Sequence, residues 1–177
     1  MKILITGASK GIGLQIAKEL AERGYELVLH CNSTEEALLA FVEENKNKNH
    51  IVKADLSTVV GAVDLFNQTC KAIGFPDSII NNAGVADSSP IEKDIKEWSA
   101  DFDKTISVNL KSPAIICKEF ILKKRTEKIS KRLRIINIAS RAAFRGEIED
   151  FISYACSKGG IVSVSYTHLT LPTILLV

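Results

Sequence analysis

Short apolar runs alternate with longer stretches of helical spacing along nearly the whole chain. KILIT (2–6), ELVLHC (26–31), IVKAD (51–55), DSIINNAG (77–84) and LRIINIAS (133–140) have the length and β-branched content of strands. Between them, residues 12–24, 33–45 and 59–73 repeat apolar residues at helical intervals, and residues from about 94 to 125 read as largely helical. A further helix is predicted from Tyr154 to about Ser165. Strands that are apolar along nearly their whole length do not leave one face for water. They predict a parallel sheet covered by helices on both sides, an α/β architecture.

The 177 residues suffice for one domain with a real core. A net charge of +2 is too small to argue for nucleic acid or an anionic membrane as partner. No apolar run approaches the roughly 20 residues of a membrane helix. The opening MKILITGAS reads as a strand rather than a signal peptide, so a cytoplasmic protein is expected. Cys31, Cys70, Cys117 and Cys156 are scattered, with no CxxC or Cys/His cluster. They are read as buried free thiols, and no metal is expected. The basic stretch 123–134 is read as a solvated helix end.

The first strand runs into TGASKGIG, Thr6 to Gly13, which opens the first helix. Gly7 allows a tight turn, and Gly11 and Gly13 allow backbone and a ligand phosphate to approach closely. The N–H groups and dipole at a helix start favour an anion there. The turn lacks the GK[ST] ending of a phosphoryl-transfer loop, which argues against a nucleotide hydrolase. Farther along, Tyr154 and Lys158 stand four residues apart, on one face of a helix. A nearby ammonium favours a phenolate, which is what an acid–base tyrosine needs.

The spacing TGxxxGxG resembles that of the short-chain dehydrogenase/reductase family, nicotinamide-dependent oxidoreductases on a Rossmann fold. Asp55-Leu56 after strand three, NNAG (81–84), Asn109 in SVNL, Ser140 and the Tyr154/Lys158 pair follow in that family's order. The resemblance implies a doubly wound, three-layer parallel sheet of order 3-2-1-4-5. It implies cofactor contacts from Gly7, Ser9, Lys10, Gly11, Ile12, Gly13, Asp55, Leu56, Asn82, Ala83, Gly84, Tyr154 and Lys158. Asp55 is expected at the adenine, and the small residues of NNAG at the nicotinamide ribose. It further implies Tyr154 as proton donor, Lys158 on the ribose hydroxyls and Ser140 on the substrate oxygen. Asn109, distorting its helix, would hold a water that links Lys158 to solvent. An acid at the end of strand two would bind a ribose 2′-hydroxyl. Cys31 stands there instead, with no acid before Glu35. Lys10, Asn32 and Ser33 could hold a 2′-phosphate, so NADP(H) is expected.

Within the family the sequence looks most like 3-oxoacyl-carrier-protein reductases, which implies a small carbonyl, alcohol or acyl thioester substrate and a dimeric or tetrameric assembly. An alternative is a regulatory NADP-binding protein of the same fold without turnover. Such relatives usually lose the Tyr or the Lys, and this chain keeps both. The resemblance also implies a sixth and a seventh strand. Residues 1–165 are therefore read as an incomplete domain that folds poorly or is inactive. Residues 166–177, with Pro172 and His168, are read as a tail foreign to the family.

Overall fold

The computed structural model describes residues 1–33, 36–44 and 49–166. Five parallel strands form one sheet in the order β3-β2-β1-β4-β5. They are β1 Lys2–Ile5, β2 Glu26–Cys31, β3 Asn49–Lys53, β4 Ser78–Asn81 and β5 Arg134–Asn137. Helices α1 (Gly11–Glu22), α2 (Glu36–Glu44) and α3 (Val59–Ile73) connect the first four strands. Helices α4 (Ile95–Ile106) and α5 (Ser112–Thr126) lie between β4 and β5, and α6 (Ala142–Arg145) and α7 (Ile152–Ser165) follow β5.

The strand period of two sorts the apolar residues into two cores. Leu4 and Val28 point to the side that holds Leu65, Phe66, Ile116 and Phe120. Their neighbours Ile3, Ile5, Leu27 and Leu29 point to the other side, with Ala17, Leu38 and Phe41. This is why β1 and β2 read as unbroken apolar runs. β5 is the edge of the described sheet, and its Ile136 is 43% exposed.

The doubly wound sheet and its order are as expected; the element ends differ. β1, β3, β4 and β5 stop earlier than their apolar runs, so Asn82–Gly84 of NNAG and Ser140 fall in the loops beyond the carboxyl ends, and Asn81 closes β4. The helical stretch 94–125 is divided by a π-helical turn, Ser107–Lys111, between α4 and α5. Residues 142–145 and 149–151 form short helices between β5 and α7. Cys31 and Cys117 are buried free thiols as expected, but Cys70 is only half-buried and Cys156 is exposed on α7. In the basic stretch, Lys123 pairs with Glu127 and Lys131 with Asp77. Thr34 and Glu35, and the tail reading beyond Tyr166 with His168 and Pro172, lie outside the described residues.

Helix α3 starts on a side-chain cap: Thr58 Oγ1 accepts from the Gly61 amide at 3.0 Å. A side chain on Gly61 would overlap the Asp55 carbonyl, so this end of α3 is pressed against the turn after β3. Thr58→Ala should lower stability by about 1 kcal/mol. The shift in the urea midpoint at constant slope measures it.

Candidate functional site

A cleft of about 600 Å³ opens over the carboxyl ends of β1, β2, β3 and β4. Its lining includes Gly7, Ser9, Lys10, Ile12 and Gly13 from the glycine-rich turn, and Asn32 and Ser33 after β2. Asp55 and Leu56 after β3, and Asn82, Ala83 and Gly84 after β4, also line it, whereas Gly11, Tyr154 and Lys158 of the expected set are not among its lining residues. Residues widely separated in the chain converge because the strands are parallel and all end on one side.

Each glycine of the turn is required for a different reason. Gly7 has φ +63°, and a Cβ there would lie 2.8 Å from Ala83 Cα. Gly11 has φ +53° and open space around it, which leaves room at the start of α1 for a ligand. Gly13 is different: a Cβ would run into the Gly7 carbonyl and lie 2.5 Å from Asn82 Nδ2. Its smallness therefore serves contact within the protein, and Gly13 also lines the cleft. No side chain caps α1, and its first turn carries no acid. Its N-terminal dipole thus faces the cleft without a resident anion from its own first turn.

Thr6 and Asn82 fasten the turn to the end of β4. Thr6 Oγ1 accepts from the amides of Asn82 and Ala83, both at 2.9 Å. Asn82 Nδ2 donates to the carbonyls of Thr6 at 3.0 Å and Gly7 at 2.9 Å. The preceding Asn81 bridges β4 to β5, donating to Asn137 Oδ1 at 2.8 Å. Asp55 accepts from the Ser57 amide at 2.9 Å, and this bond holds its carboxyl below the usual range. The side chain therefore stays ionised at the exposed rim.

Gly84 joins the cleft to the second group of expected residues. A Cβ on it would lie 3.3 Å from Asn109 Oδ1 and 3.7 Å from Lys158 Nζ. Lys158 is 6% exposed and donates to the Ile138 carbonyl at 2.8 Å. Burial pushes its pKa down. Its Nζ stands 5.7 Å from the ring centre of Tyr154, which is half-buried. Asn109 sits in the π-helical turn, so the local distortion expected of it is present. Its Oδ1 accepts from Val85 N at 2.8 Å, and its Nδ2 donates to Val85 O and to Ser157 Oγ. Ser157 Oγ in turn donates to the Tyr154 carbonyl at 2.7 Å. Ser140 lies just past β5, where its Oγ accepts from the Ala142 amide at 3.2 Å.

Four lining residues were not expected: Ser57, Val85, Lys104 and Val108. A fifth is His30, which the sequence places in the second strand. Its one available signal was a polar side chain inside the apolar run ELVLHC. Among the described residues no group of His, Cys, Asp or Glu is arranged to hold a metal, and no helix is long and apolar enough to cross a membrane.

The family model for short chain dehydrogenase matches residues 1–169. The chain belongs to the short-chain dehydrogenase/reductase family. Among curated short-chain relatives, the Thauera aromatica (2S)-[(R)-hydroxy(phenyl)methyl]succinyl-CoA dehydrogenase subunit BbsD is 34% identical over 92% of this chain and 63% of its own. The Arabidopsis thaliana NADPH-dependent pterin aldehyde reductase is 36% identical over 67% of this chain and 49% of its own. The chain thus spans about half to two thirds of the length of these relatives. The solved structure of 4-hydroxyisoleucine dehydrogenase complexed with NADH and succinate matches with TM-score 0.80 at 27% identity, over 92% of this chain and 66% of that one. A blue fluorescent protein from a metagenomic library, in complex with NADPH, shares the fold at TM-score 0.77 and 24% identity, over 93% and 65% of the two chains.

Proposed function

We propose that the protein is an NADP(H)-dependent oxidoreductase that reduces a carbonyl, or oxidises a secondary alcohol, with Ser140, Tyr154, Lys158 and Asn109 as its reacting site. The observation that carries this reading is the placement of Lys158 beside Gly84 and the Tyr154 ring, at the end of the cleft built on the glycine-rich turn. A dinucleotide fits that cleft in size, and the open space at Gly11 suits its pyrophosphate. Gly7, Ser9, Lys10, Gly11, Ile12 and Gly13 would hold the phosphates, Asp55 and Leu56 the adenine, and Asn82, Ala83 and Gly84 the nicotinamide ribose. When bound, the nicotinamide supplies or accepts the hydride.

The chain's own residues then handle the oxygen and its proton. Ser140 donates a hydrogen bond to the substrate oxygen. Tyr154 delivers its phenolic proton to that oxygen, or removes it in the reverse direction. The Lys158 ammonium stabilises negative charge on the phenol oxygen. An ammonium has three donors and the Ile138 carbonyl takes one, so Lys158 can also reach ribose hydroxyls. The Asn109 side chain is committed to Val85 and Ser157. Any water it holds for proton relay must sit on its backbone carbonyl.

Lys10, Asn32 and Ser33 favour a 2′-phosphate, and buried Cys31 offers no charge to repel one. Relatives' names and titles carry both cofactors, NADPH and NADH. Charge-assisted bonds worth about 1.5–3 kcal/mol should give kcat/KM ratios for NADPH over NADH of about ten to one hundred. A preference for NADH would overturn the assignment. A 3-oxoacyl thioester is the substrate class to assay first, and the Thauera relative's name also describes a CoA thioester. A cytoplasmic location, expected from the opening MKILITGAS, and a dimeric or tetrameric assembly, implied by the family resemblance, belong to the same reading.

A further inference from the structure

His30 lies near the end of β2 under the glycine-rich turn, 2% exposed. Its two ring nitrogens meet partners of opposite kind. Nδ1 is 3.0 Å from the Gly7 amide nitrogen, which can only donate. Nε2 is 3.1 Å from the Ala54 carbonyl oxygen, which can only accept. Together they fix the neutral imidazole with its proton on Nε2. The backbone ties on either side run the same way: Ala8 N donates to the His30 carbonyl at 2.8 Å, and Ala54 N to the Cys31 carbonyl at 3.1 Å. His30 thus links the turn that carries Gly7 to the segment that leads into Asp55.

We propose that neutral His30 is a positioning residue for the dinucleotide cleft, holding Gly7 in its left-handed conformation and releasing it on protonation, so that acid weakens cofactor binding. A protonated ring would present an N–H to the Gly7 N–H, two donors facing each other. The inference rests on the cofactor reading above. The titratable groups on the same cleft are Lys10 in the turn, Cys31 on β2, Asp55 after β3 and Lys104 on α4. Lys53 stands opposite Cys31 across the β2–β3 ladder. Burial lowers the pKa of His30 from its ordinary 6.5, and the Ala54 carbonyl opposes that in part. A lowered value means that the neutral ring stabilises the fold fully above pH 6.5. That contribution is lost as pH falls from 6.5 through the lower folded value.

The test is calorimetric titration of the intact protein with NADP⁺ between pH 5 and 8, for wild type, His30→Asn and His30→Gln. Asn keeps an acceptor where Nδ1 stood and does not titrate. Gln reaches toward Ala54 and offers Gly7 no acceptor in the same place. Wild-type affinity should fall as pH drops through the ring's midpoint, by at least the roughly tenfold of a lost hydrogen bond. His30→Asn should bind as wild type at pH 8 and follow only the shallower titration of the 2′-phosphate, near pH 6. His30→Gln should bind about tenfold more weakly than wild type at pH 8, as expected for a lost hydrogen bond. Parallel pH profiles for wild type and His30→Asn would overturn the proposal. A second measurement needs no cofactor: ¹⁵N NMR of the imidazole and the Gly7 amide over the same pH range. The Gly7 amide should titrate with the ring, and an amide indifferent to it also overturns the proposal. If the two titrate together while NADP⁺ binds at no pH, the tether stands and the cofactor reading fails.

Discussion

Tyr154→Phe should lower kcat for carbonyl reduction by about 10²–10⁴-fold while NADPH binds within about twofold of wild type. The change removes one oxygen and leaves the ring that lies 5.7 Å from Lys158 Nζ. Tyr154 is half-buried, so little packing is lost and the fold should stay intact. On the proposed reading the cleft walls and Lys158 carry most of the cofactor's hold, and Tyr154 gives up only its hydroxyl. The expected signature is thus a kcat effect without a Kd effect, read by stopped-flow reduction and by NADPH fluorescence titration. Turnover within tenfold of wild type would remove Tyr154 from the acid–base role. A wild-type protein that binds NADPH and reduces no carbonyl would favour the regulatory alternative or an incomplete, inactive domain.

Gly13→Ala should have the second large effect, on the fold and the cleft together. The added methyl runs into the Gly7 carbonyl and approaches Asn82 Nδ2 to 2.5 Å. Neither neighbour is free to retreat. Asn82 Nδ2 donates to that same Gly7 carbonyl, and the Gly7 amide is held by His30. Overpacking of this kind costs about 1–3 kcal/mol. Displacing the turn should also weaken NADP⁺ binding by at least about tenfold, since phosphate contacts depend on its amides. Gly11→Ala is the control for the fold: no protein atom lies near its added methyl, and without cofactor only the left-handed φ is penalised, by about 1–2 kcal/mol. Thermal melts with and without NADP⁺ separate the two. A Gly13→Ala protein with wild-type Tm and affinity would mean that the turn is not packed as described.

The sheet and its order were legible because apolar periodicity and strand length are properties of contiguous residues. Leu4 between Ile3 and Ile5 announces a strand covered on both faces. The glycine-rich turn was legible for the same reason, since Gly7 and Gly11 adopt positive φ within one short segment. The crowding at Gly13 is not legible in the sequence, because the atoms around it include Asn82, far along the chain. His30 was hidden in the same way. Its partners come from 23 residues before it and 24 after it, and no local pattern states a tautomer. The π-helical turn at Asn109 is not visible in helical periodicity, which continues through Ser107–Lys111; only the family resemblance pointed there. The short helices after Ser140 were missed because four- and three-residue segments leave no amphipathic pattern to read.

The ties between Thr6 and Asn82 span 76 residues. A cleft whose two walls lie so far apart along the chain does not exist in any local fragment of it. Neither wall can grip a ligand until β1 has found β4, a parallel pairing that closes a long loop and belongs to the slow part of folding. A dinucleotide held there is therefore a clasp fitted last, yet its grip is spread over the whole sheet. At one hundred times its Kd it would deepen the native well by about 2.7 kcal/mol. The abundance of such a protein in a cell would then follow the size of its coenzyme pool as well as the rate of its synthesis.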